Sequence, residues 1–556
     1  MKYNVLIGGA AGQGMETVAT VLEWILHKNG YYIFSNKDYM SRVRGGHNFI
    51  QIRFASSEIF THQEKIDVIL ALDEGSAQYH LENLKEDGLL LCDETINSED
   101  KRVLNFPFTS IAKTLGNVKT ATFVALGVIL KLFDVPQKHW DESLKKALKE
   151  ETLFMNYTAV TKGYAMTDTK YAPLESNHDD SLLINGNNAI ALGALAAGCN
   201  FYSAYPMTPS TSIMTYLAKK TEKAKILVEQ AEDEIAAINM AIGASYAGAR
   251  AMTGTSGGGF CLKVEALGLA GMMEVPLVIA NIQRPGPATG LPTRTEQSDL
   301  KFIVSASHGE FPRMVMAFRT PEDSFYQTTR AFNLADKYQI PVIVLGDQYL
   351  ADSLVTTKTF DIDAIKIERH LSNEEVAKST EEYKRYKLGS SPISPRIVPG
   401  KVPGQIVVCD SDEHNEYGKI IESSEERIQM SDKRLQKLDL LKEELQEPWF
   451  IGSDSFDTLL LCWGSTYGSV CEAVKSLNQT SNGKYAALSF GDIWPLPTKL
   501  LLEKSKQAKT LLNVEQNATG QLASIIREVS GLEMNRSILK YDGRQITGDE
   551  IIEQLK

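Results

Sequence analysis

The chain has only six cysteines, Cys92, Cys199, Cys261, Cys409, Cys462 and Cys471, and no two stand in a C-x-x-C or any other iron–sulfur or zinc spacing. That absence excludes a cluster or zinc knuckle built by this chain alone, and the six read as buried thiols in a reducing compartment. Basic charge is also short: 58 Lys and Arg stand against 70 Asp and Glu, a net charge of −12. Without a basic stripe, a nucleic-acid surface and an anionic membrane are excluded as partners. No apolar run reaches the length of a membrane span. The opening MKYNVLIGGAAGQG passes from a short strand into glycines without the apolar core and cleavage site of a signal peptide. The expectation is a cytoplasmic protein.

What is present has the rhythm of α/β units. The 556 residues allow roughly three to four domains, and 43% hydrophobic content supplies real cores. Residues 1–172 alternate short apolar strands such as DVILALD with helical stretches, which predicts a largely parallel sheet. The polar TDTKYAPLESNHDDSLL reads as a linker. A second α/β domain is expected over 182–352. Residues 353–449 lose the rhythm and read as an irregular connector ending in a charged helix, solvated or bracing. The pattern resumes in a small domain over 450–556.

Several stretches carry candidate chemistry. GGAAGQGM lies between a predicted strand and helix, so Gly9, Gly12 and Gly14 would let helix N–H groups approach a phosphate. It is not the nicotinamide fingerprint, because the order is not G-x-G-x-x-G and no acid closes the next strand, YYIFSNK. A purely steric turn is the alternative. SRVRGGHN gathers Arg42, Arg44 and His47 around a glycine pair, suited to phosphates or a carboxylate, or to no ligand at all.

In AYPMTPST, Pro206 should end a strand, Pro209 suits the first helical position, and Thr208 would be the N-cap, where a helix start seats an anion. In VEQAEDEIAAINMAIGASYAG, Glu232 and Asp233 favour the helix dipole. Glu234 precedes the apolar IAAI and should enter a buried space, where it needs a hydrogen-bonding partner. TGTSGGG and NIQRPGPATGLPTRTEQSDL end the following strands at Ser256, Arg284 and Arg294. Ligands of an open parallel sheet sit beyond the carboxyl ends of its strands, so Thr208, Ser256 and Arg284 together could seat a carboxylate.

YPMTPST, VEQAEDEIAA, RPGPATGLPTRTEQSDL, GGAAGQGMETVA, SRVRGGHNFIQIR, DEHNEYGK, FGDIWPLP and NVEQNATGQLA span nearly the whole chain. In family order they closely resemble the α subunit of 2-oxoacid:ferredoxin oxidoreductases, in the form with a γ-type domain fused ahead. The resemblance implies a multi-domain α/β fold: a γ-type domain, a thiamine-diphosphate domain of the pyrimidine-binding type, and a transketolase C-terminal-like domain. It implies coenzyme A-dependent oxidative decarboxylation of a 2-oxoacid, with electrons passed to ferredoxin. Glu234 matches the glutamate that hydrogen-bonds the pyrimidine ring of thiamine diphosphate, with Tyr205 and Pro206 beside the cofactor. Thr208 and Arg284 match the residues that hold the substrate carboxylate. Gly9, Gly12, Gly14, Arg42 and Arg44 are candidate phosphate or coenzyme A contacts. Met207 stands where isoleucine is more usual, a volume-conserving change.

The G-D-G motif that holds the diphosphate and Mg²⁺ in such enzymes occurs nowhere in the chain, and there is no cysteine set for a cluster. The resemblance therefore implies half an enzyme. A β subunit would supply the diphosphate site, Mg²⁺ and a [4Fe–4S] cluster, dock ferredoxin, and complete an αβ or (αβ)2 assembly. The fused layout favours 2-oxoglutarate, with pyruvate, branched-chain and aryl 2-oxoacids open. A self-sufficient thiamine or nicotinamide enzyme is disfavoured by the missing motifs. A non-catalytic assembly protein on the same fold is the alternative from another class.

Overall fold

The computed structural model describes residues 1–40, 45–177, 180–480 and 484–556. They form two compact units. Met1–Asn185, Asp352–Thr359 and Thr547–Glu553 make the first, and Gly186–Ala351, Phe360–Ile546 and Gln554–Lys556 the second.

The first unit is built on an eight-stranded sheet. Alternation along the strand Lys2–Ala11 sends Val5 and Ile7 into a cluster with Val18, Leu22 and Ile25 of the helix Met15–Lys28, and Leu6 into another with Ile69 and Leu90. From that strand, parallel pairing runs through Ile66–Ala71 and Leu84–Asp93 to Val103–Phe106. On its other side every pairing is antiparallel, through Gly45–Ala55, Tyr32–Asp38 and Leu354–Lys358 to Ser181–Ile184. The expectation of a largely parallel sheet is corrected here. Connection length is the cause: residues 39–44 alone separate Tyr32–Asp38 from Gly45–Ala55, and a parallel crossover needs about a dozen. The stretch expected as a linker thus ends in a strand, and the one expected as an irregular connector opens with one.

The second unit holds a seven-stranded sheet in the order Asp492–Trp494, Met314–Ala317, Pro341–Asp347, Leu277–Gln283, Ala251–Thr255, Phe201–Ala204, Leu227–Gln230. All its pairs are parallel except that of the edge strand Asp492–Trp494. Leu277–Gln283 and Pro341–Asp347 are buried along their whole length because helices cover both faces. Val278 and Ala280 face the helices Gly186–Ala196 and Pro321–Tyr338, while Leu277 and Ile279 face Glu234–Tyr246 and Gly257–Met272. A five-stranded sheet over 449–539 shares the second of these cores through Leu459, Leu461 and Leu488. The charged helix Ser424–Lys442 is a brace: Lys433 and Lys437 are buried on the Glu274 carboxylate, at 2.7 and 2.5 Å. Among the described residues no helix is long and apolar enough to cross a membrane.

Candidate active site

Beyond Phe201–Ala204 the chain leaves the sheet through exposed Tyr205 and half-buried Pro206 and Met207. The Thr208–Pro209 peptide is cis, and the helix begins only at Thr211, with Ser210 in the cap position. The expected N-cap at Thr208 is therefore corrected. The Met207 carbonyl accepts from the Ser210 hydroxyl (2.8 Å) and the Thr211 N–H (3.1 Å), so a turn intervenes between Pro209 and the helix. Fully buried Asn187 fixes that turn by donating to the Pro209 carbonyl (2.8 Å) and the Ser212 hydroxyl (2.7 Å). Arg284, just past Leu277–Gln283, donates Nη1 to the Thr208 carbonyl at 2.7 Å. Thr208 and Arg284 are thus brought together, through the threonine backbone. The Thr208 hydroxyl and the other guanidinium donors have no partner among the described residues.

Asp233 does more than favour the dipole. It caps the helix Glu234–Tyr246, its carboxylate accepting from the Ala236 N–H at 2.7 Å, whereas Glu232 is exposed. Glu234 turns inward, 5% exposed, and among the described residues no donor meets its carboxylate. That carboxylate lies over Gly259, where a Cβ would stand 2.5 Å from Oε1 and 2.2 Å from the Thr255 hydroxyl. A buried carboxylate without donors is costly, so it marks a place where a ligand can supply one. Ser256 adds a second orphan: it is wholly buried at the cap position of Gly257–Met272, and its hydroxyl bonds nothing among the described residues.

Sequence reasoning does not find Lys263, whose wholly buried Nζ donates to the Glu234 carbonyl (3.1 Å) and the Thr253 hydroxyl (3.0 Å). Its one signal is a lysine inside the apolar helix GGGFCLKVEALGLAGM. Nor does the sequence give NVEQNATGQLA a structural role. Gln297 donates its N–H to the Gln516 carbonyl (2.7 Å), Gln516 returns its N–H to Gln297 Oε1 (3.1 Å), and Asn517 Nδ2 donates to the Gln297 carbonyl (3.0 Å). The motif clamps the loop that starts at Arg284. In that loop Asp299 packs against Gly257 and accepts from Asn281 Nδ2 at 3.0 Å. Burial pushes the Asp299 carboxyl up to about 6, and burial beside Asp299 and Asp542 pushes that of Glu296 up to about 7. Burial lowers the Arg284 guanidinium, which Asp299 opposes. Arg294 is half-buried, its stem over Gly543.

In the first unit, Gly12 and Gly14 take φ values of 97° and 86° and line a cavity of about 570 Å³ with Thr17, Asn117, Lys119 and Thr122. Gly9 is not one of its walls. A Cβ there would meet Gln13 Oε1 at 2.6 Å, and that oxygen accepts from the Ala10 N–H at 2.7 Å, which is a steric role. Arg42 and Arg44 lie outside the described residues. His47 meets buried His80, Nε2 to Nε2 at 2.8 Å, and among the described residues no three His, Cys, Asp or Glu converge on a metal position. Cys261 is exposed and Cys409 half-buried, which corrects the expectation of six buried thiols; burial pushes Cys199 and Cys462 up to about 12.

A family model described as pyruvate flavodoxin/ferredoxin oxidoreductase, thiamine diphosphate-binding, matches residues 192–433, and one described as pyruvate ferredoxin/flavodoxin oxidoreductase matches 4–166. The 2-oxoacid:ferredoxin oxidoreductase subunit alpha of a Sulfolobus species is 31% identical over 622 aligned positions, covering 100% of this chain and 96% of that one. The chain belongs to this family. The 2-oxoglutarate synthase subunit KorA of Methanothermobacter marburgensis is 31% identical over 68% of this α subunit and 98% of its own length. The solved 2-oxoglutarate:ferredoxin oxidoreductase from Magnetococcus marinus, with 2-oxoglutarate, coenzyme A and succinyl-CoA bound, matches with a TM-score of 0.93 at 29% identity, covering 100% of this chain and 99% of that one. The α subunit is thus an enzyme subunit with a multi-domain α/β fold. Thr208, Glu234 and Arg284 all fall within the stretch matched by the thiamine-diphosphate-binding model.

Proposed function

We propose that this α subunit, together with a β subunit, converts 2-oxoglutarate and coenzyme A to succinyl-CoA and CO₂ and passes the electrons to ferredoxin. The observation that carries the reading is a juxtaposition at one end of the sheet: among the described residues, the buried Glu234 carboxylate has no donor, and the Arg284 guanidinium is anchored by one bond with its other donors free. The residues fit thiamine diphosphate. A ring nitrogen carrying a proton would give Glu234 the donor it lacks, and Gly259 keeps the space beside it free of a side chain. When bound, the cofactor supplies a carbon nucleophile and an electron sink for the loss of CO₂. Glu234 holds a proton at the pyrimidine ring, with Tyr205 and Pro206 alongside. Arg284 and the Thr208 hydroxyl seat the substrate carboxylate, which a guanidinium fork grips most strongly where water is scarce.

On this reading residues 1–172 are the γ-type domain, 182–352 the pyrimidine-binding domain and 450–556 the transketolase C-terminal-like domain, joined by 353–449. The diphosphate, Mg²⁺ and the [4Fe–4S] cluster belong to the β subunit, because this chain carries no G-D-G motif and no cysteine set for a cluster. Ile235, Met240 and Leu262, exposed by 50%, 42% and 49% on the helices that bear Glu234 and Gly259, offer that subunit an apolar face. We place coenzyme A phosphates in the cavity beside Gly12 and Gly14. The preference for 2-oxoglutarate rests on the fused layout and on the likeness to the Magnetococcus marinus enzyme over the full chain.

Anaerobic affinity purification followed by viologen reduction with coenzyme A and a panel of 2-oxoacids tests this. A brown αβ complex most active on 2-oxoglutarate is expected. Greater activity on pyruvate would overturn the substrate, and a colourless, partnerless, inactive chain the catalytic reading. Arg284→Ala should raise KM for the 2-oxoacid about 100-fold, as losing a desolvated charge partner does, and leave KM for coenzyme A within about twofold. Equal losses for both substrates would remove Arg284 from the carboxylate site.

A further inference from the structure

Among the described residues Lys263 is a buried cation with no carboxylate in ion-pair contact. Its two acceptors, the Glu234 carbonyl and the Thr253 hydroxyl, are neutral. Removing an ammonium from water without an anion on it is costly, and methionine would fill much the same space without that cost. Geometry says what the charge does. Lys263 lies one helical turn beyond Gly259, on the helix face that meets the Glu234 carboxylate. It grips the carbonyl of the first residue of the Glu234 helix, whose N–H end is capped by Asp233. The backbone is therefore fixed on both sides of the Glu234 Cα.

The groups facing this ammonium are few. The Glu234 helix presents Asp233 and Glu234, and the strand Ala251–Thr255 only the Thr253 hydroxyl. Leu277–Gln283 has no ionisable side chain, and Pro341–Asp347 has only Asp347, beyond the level of Ile343 that aligns through Ile279 with Thr253. Glu265, on the lysine's own helix, is exposed. Burial pulls Lys263 down to about 8, and the Glu234 and Asp233 carboxylates oppose it.

We propose that Lys263 is a positioning residue for Glu234: its ammonium clamps the first carbonyl of the Glu234 helix and so holds the Glu234 side chain over Gly259, where it meets the cofactor ring. This rests on the cofactor reading of Glu234 given above. As pH rises through about 8 the ammonium loses its proton, and with it the charge-assisted grip on the Glu234 carbonyl. Turnover then falls while stability does not. The unfolded chain holds this proton up to about 10.5, so between the two values the unfolded state binds more protons and the contribution to stability rises with pH.

The test compares the αβ enzyme with its Lys263→Met, Thr253→Val and Glu234→Gln variants. It measures thiamine diphosphate binding to the cofactor-free complex by calorimetry, melting temperature, and kcat and KM from about pH 6.5 to 9.5. Lys263→Met should assemble and melt no lower than the parent, bind the cofactor about tenfold more weakly, and lose about tenfold in kcat, as a displaced catalytic group does. KM for coenzyme A should hold and the alkaline limb near pH 8 should vanish. Thr253→Val should lose less and move that limb to lower pH. Parent-like cofactor affinity and an unchanged alkaline limb in Lys263→Met would overturn the proposal. If that variant does not fold, a parent-like pH profile in Thr253→Val would overturn it instead. A Glu234→Gln enzyme with parent turnover would overturn the reading of Glu234 itself, an outcome distinct from an inactive Glu234→Gln beside a parent-like Lys263→Met.

Discussion

Two glycine-rich turns that lead from a strand into a helix use their glycines for opposite reasons. At Gly12 and Gly14 the backbone takes φ values of 97° and 86°, and a Cβ at Gly12 would find nothing within 4 Å among the described residues. At Gly257 and Gly259 the backbone stays out of the left-handed region, and crowding excludes the side chain: a Cβ would stand 2.5 Å from Asp299 Oδ2 at the first and 2.5 Å from Glu234 Oε1 at the second. The first turn needs glycine for the path of its backbone, the second for what must approach it. The same letter therefore answers to different perturbations.

The largest effect is expected where crowding meets the candidate chemistry. Gly259→Ala drives a methyl into Thr255 and Glu234, so turnover should fall about 100-fold through a misplaced carboxylate, with about 1–3 kcal/mol of overpacking cost. Steady-state kinetics and melting of the αβ enzyme check this, and parent-like turnover would mean that Glu234 does not act over Gly259. The next effect comes from the carboxylate that crowds Gly257. Burial raises Asp299 from 3.8 to about 6, so the native state binds more protons than the unfolded state between those values, and stability falls as pH rises through them. Asp299→Asn removes that penalty and gives a donor to Asn281 Oδ1, which has no partner among the described residues. The variant should be more stable by about 1–2 kcal/mol at pH 8, with the gap closing below about pH 4. A gap that does not depend on pH in denaturant titrations would count against a raised Asp299.

The comparison also separates what the sequence carries from what it hides. Both glycine turns, the apolar central strands and the inward turn of Glu234 were legible, because local pattern decides them. The carboxyl ends of the parallel strands bring Thr208 and Arg284 to one place, but a cap at Thr208 does not form, since the turn from Met207 to Thr211 depends on Asn187, which is distant in sequence. The antiparallel half of the first sheet was hidden for a similar reason: Leu354–Lys358 pairs with strands that begin at Tyr32 and Ser181. Gln297 and Gln516 lie 219 residues apart, and no periodicity reports a clamp of that span. Lys263 was invisible because a lysine is ordinarily a solvated residue, and only the packed interior shows it to be wholly buried.

The smallest effects belong to the first turn and sharpen the contrast. Gly14→Ala imposes a left-handed backbone on alanine, with Thr122 at a comfortable 3.7 Å, and should cost about 1 kcal/mol, read as a lower melting temperature. Gly12→Ala carries the same backbone cost at φ 97° and meets no atom of the described residues, so its stability loss should match that of Gly14→Ala within about 0.5 kcal/mol. Neither should alter KM for the 2-oxoacid. The methyl at Gly12 projects into open space beside the cavity, however, so coenzyme A phosphates bound there would meet it, raising KM for coenzyme A a few-fold in Gly12→Ala. An unchanged KM for coenzyme A alongside the expected loss of stability would leave the first turn glycine for its backbone alone and move the phosphates elsewhere. A loss at Gly12 much larger than at Gly14 would instead mean that this turn, like the second, is crowded when the enzyme is assembled.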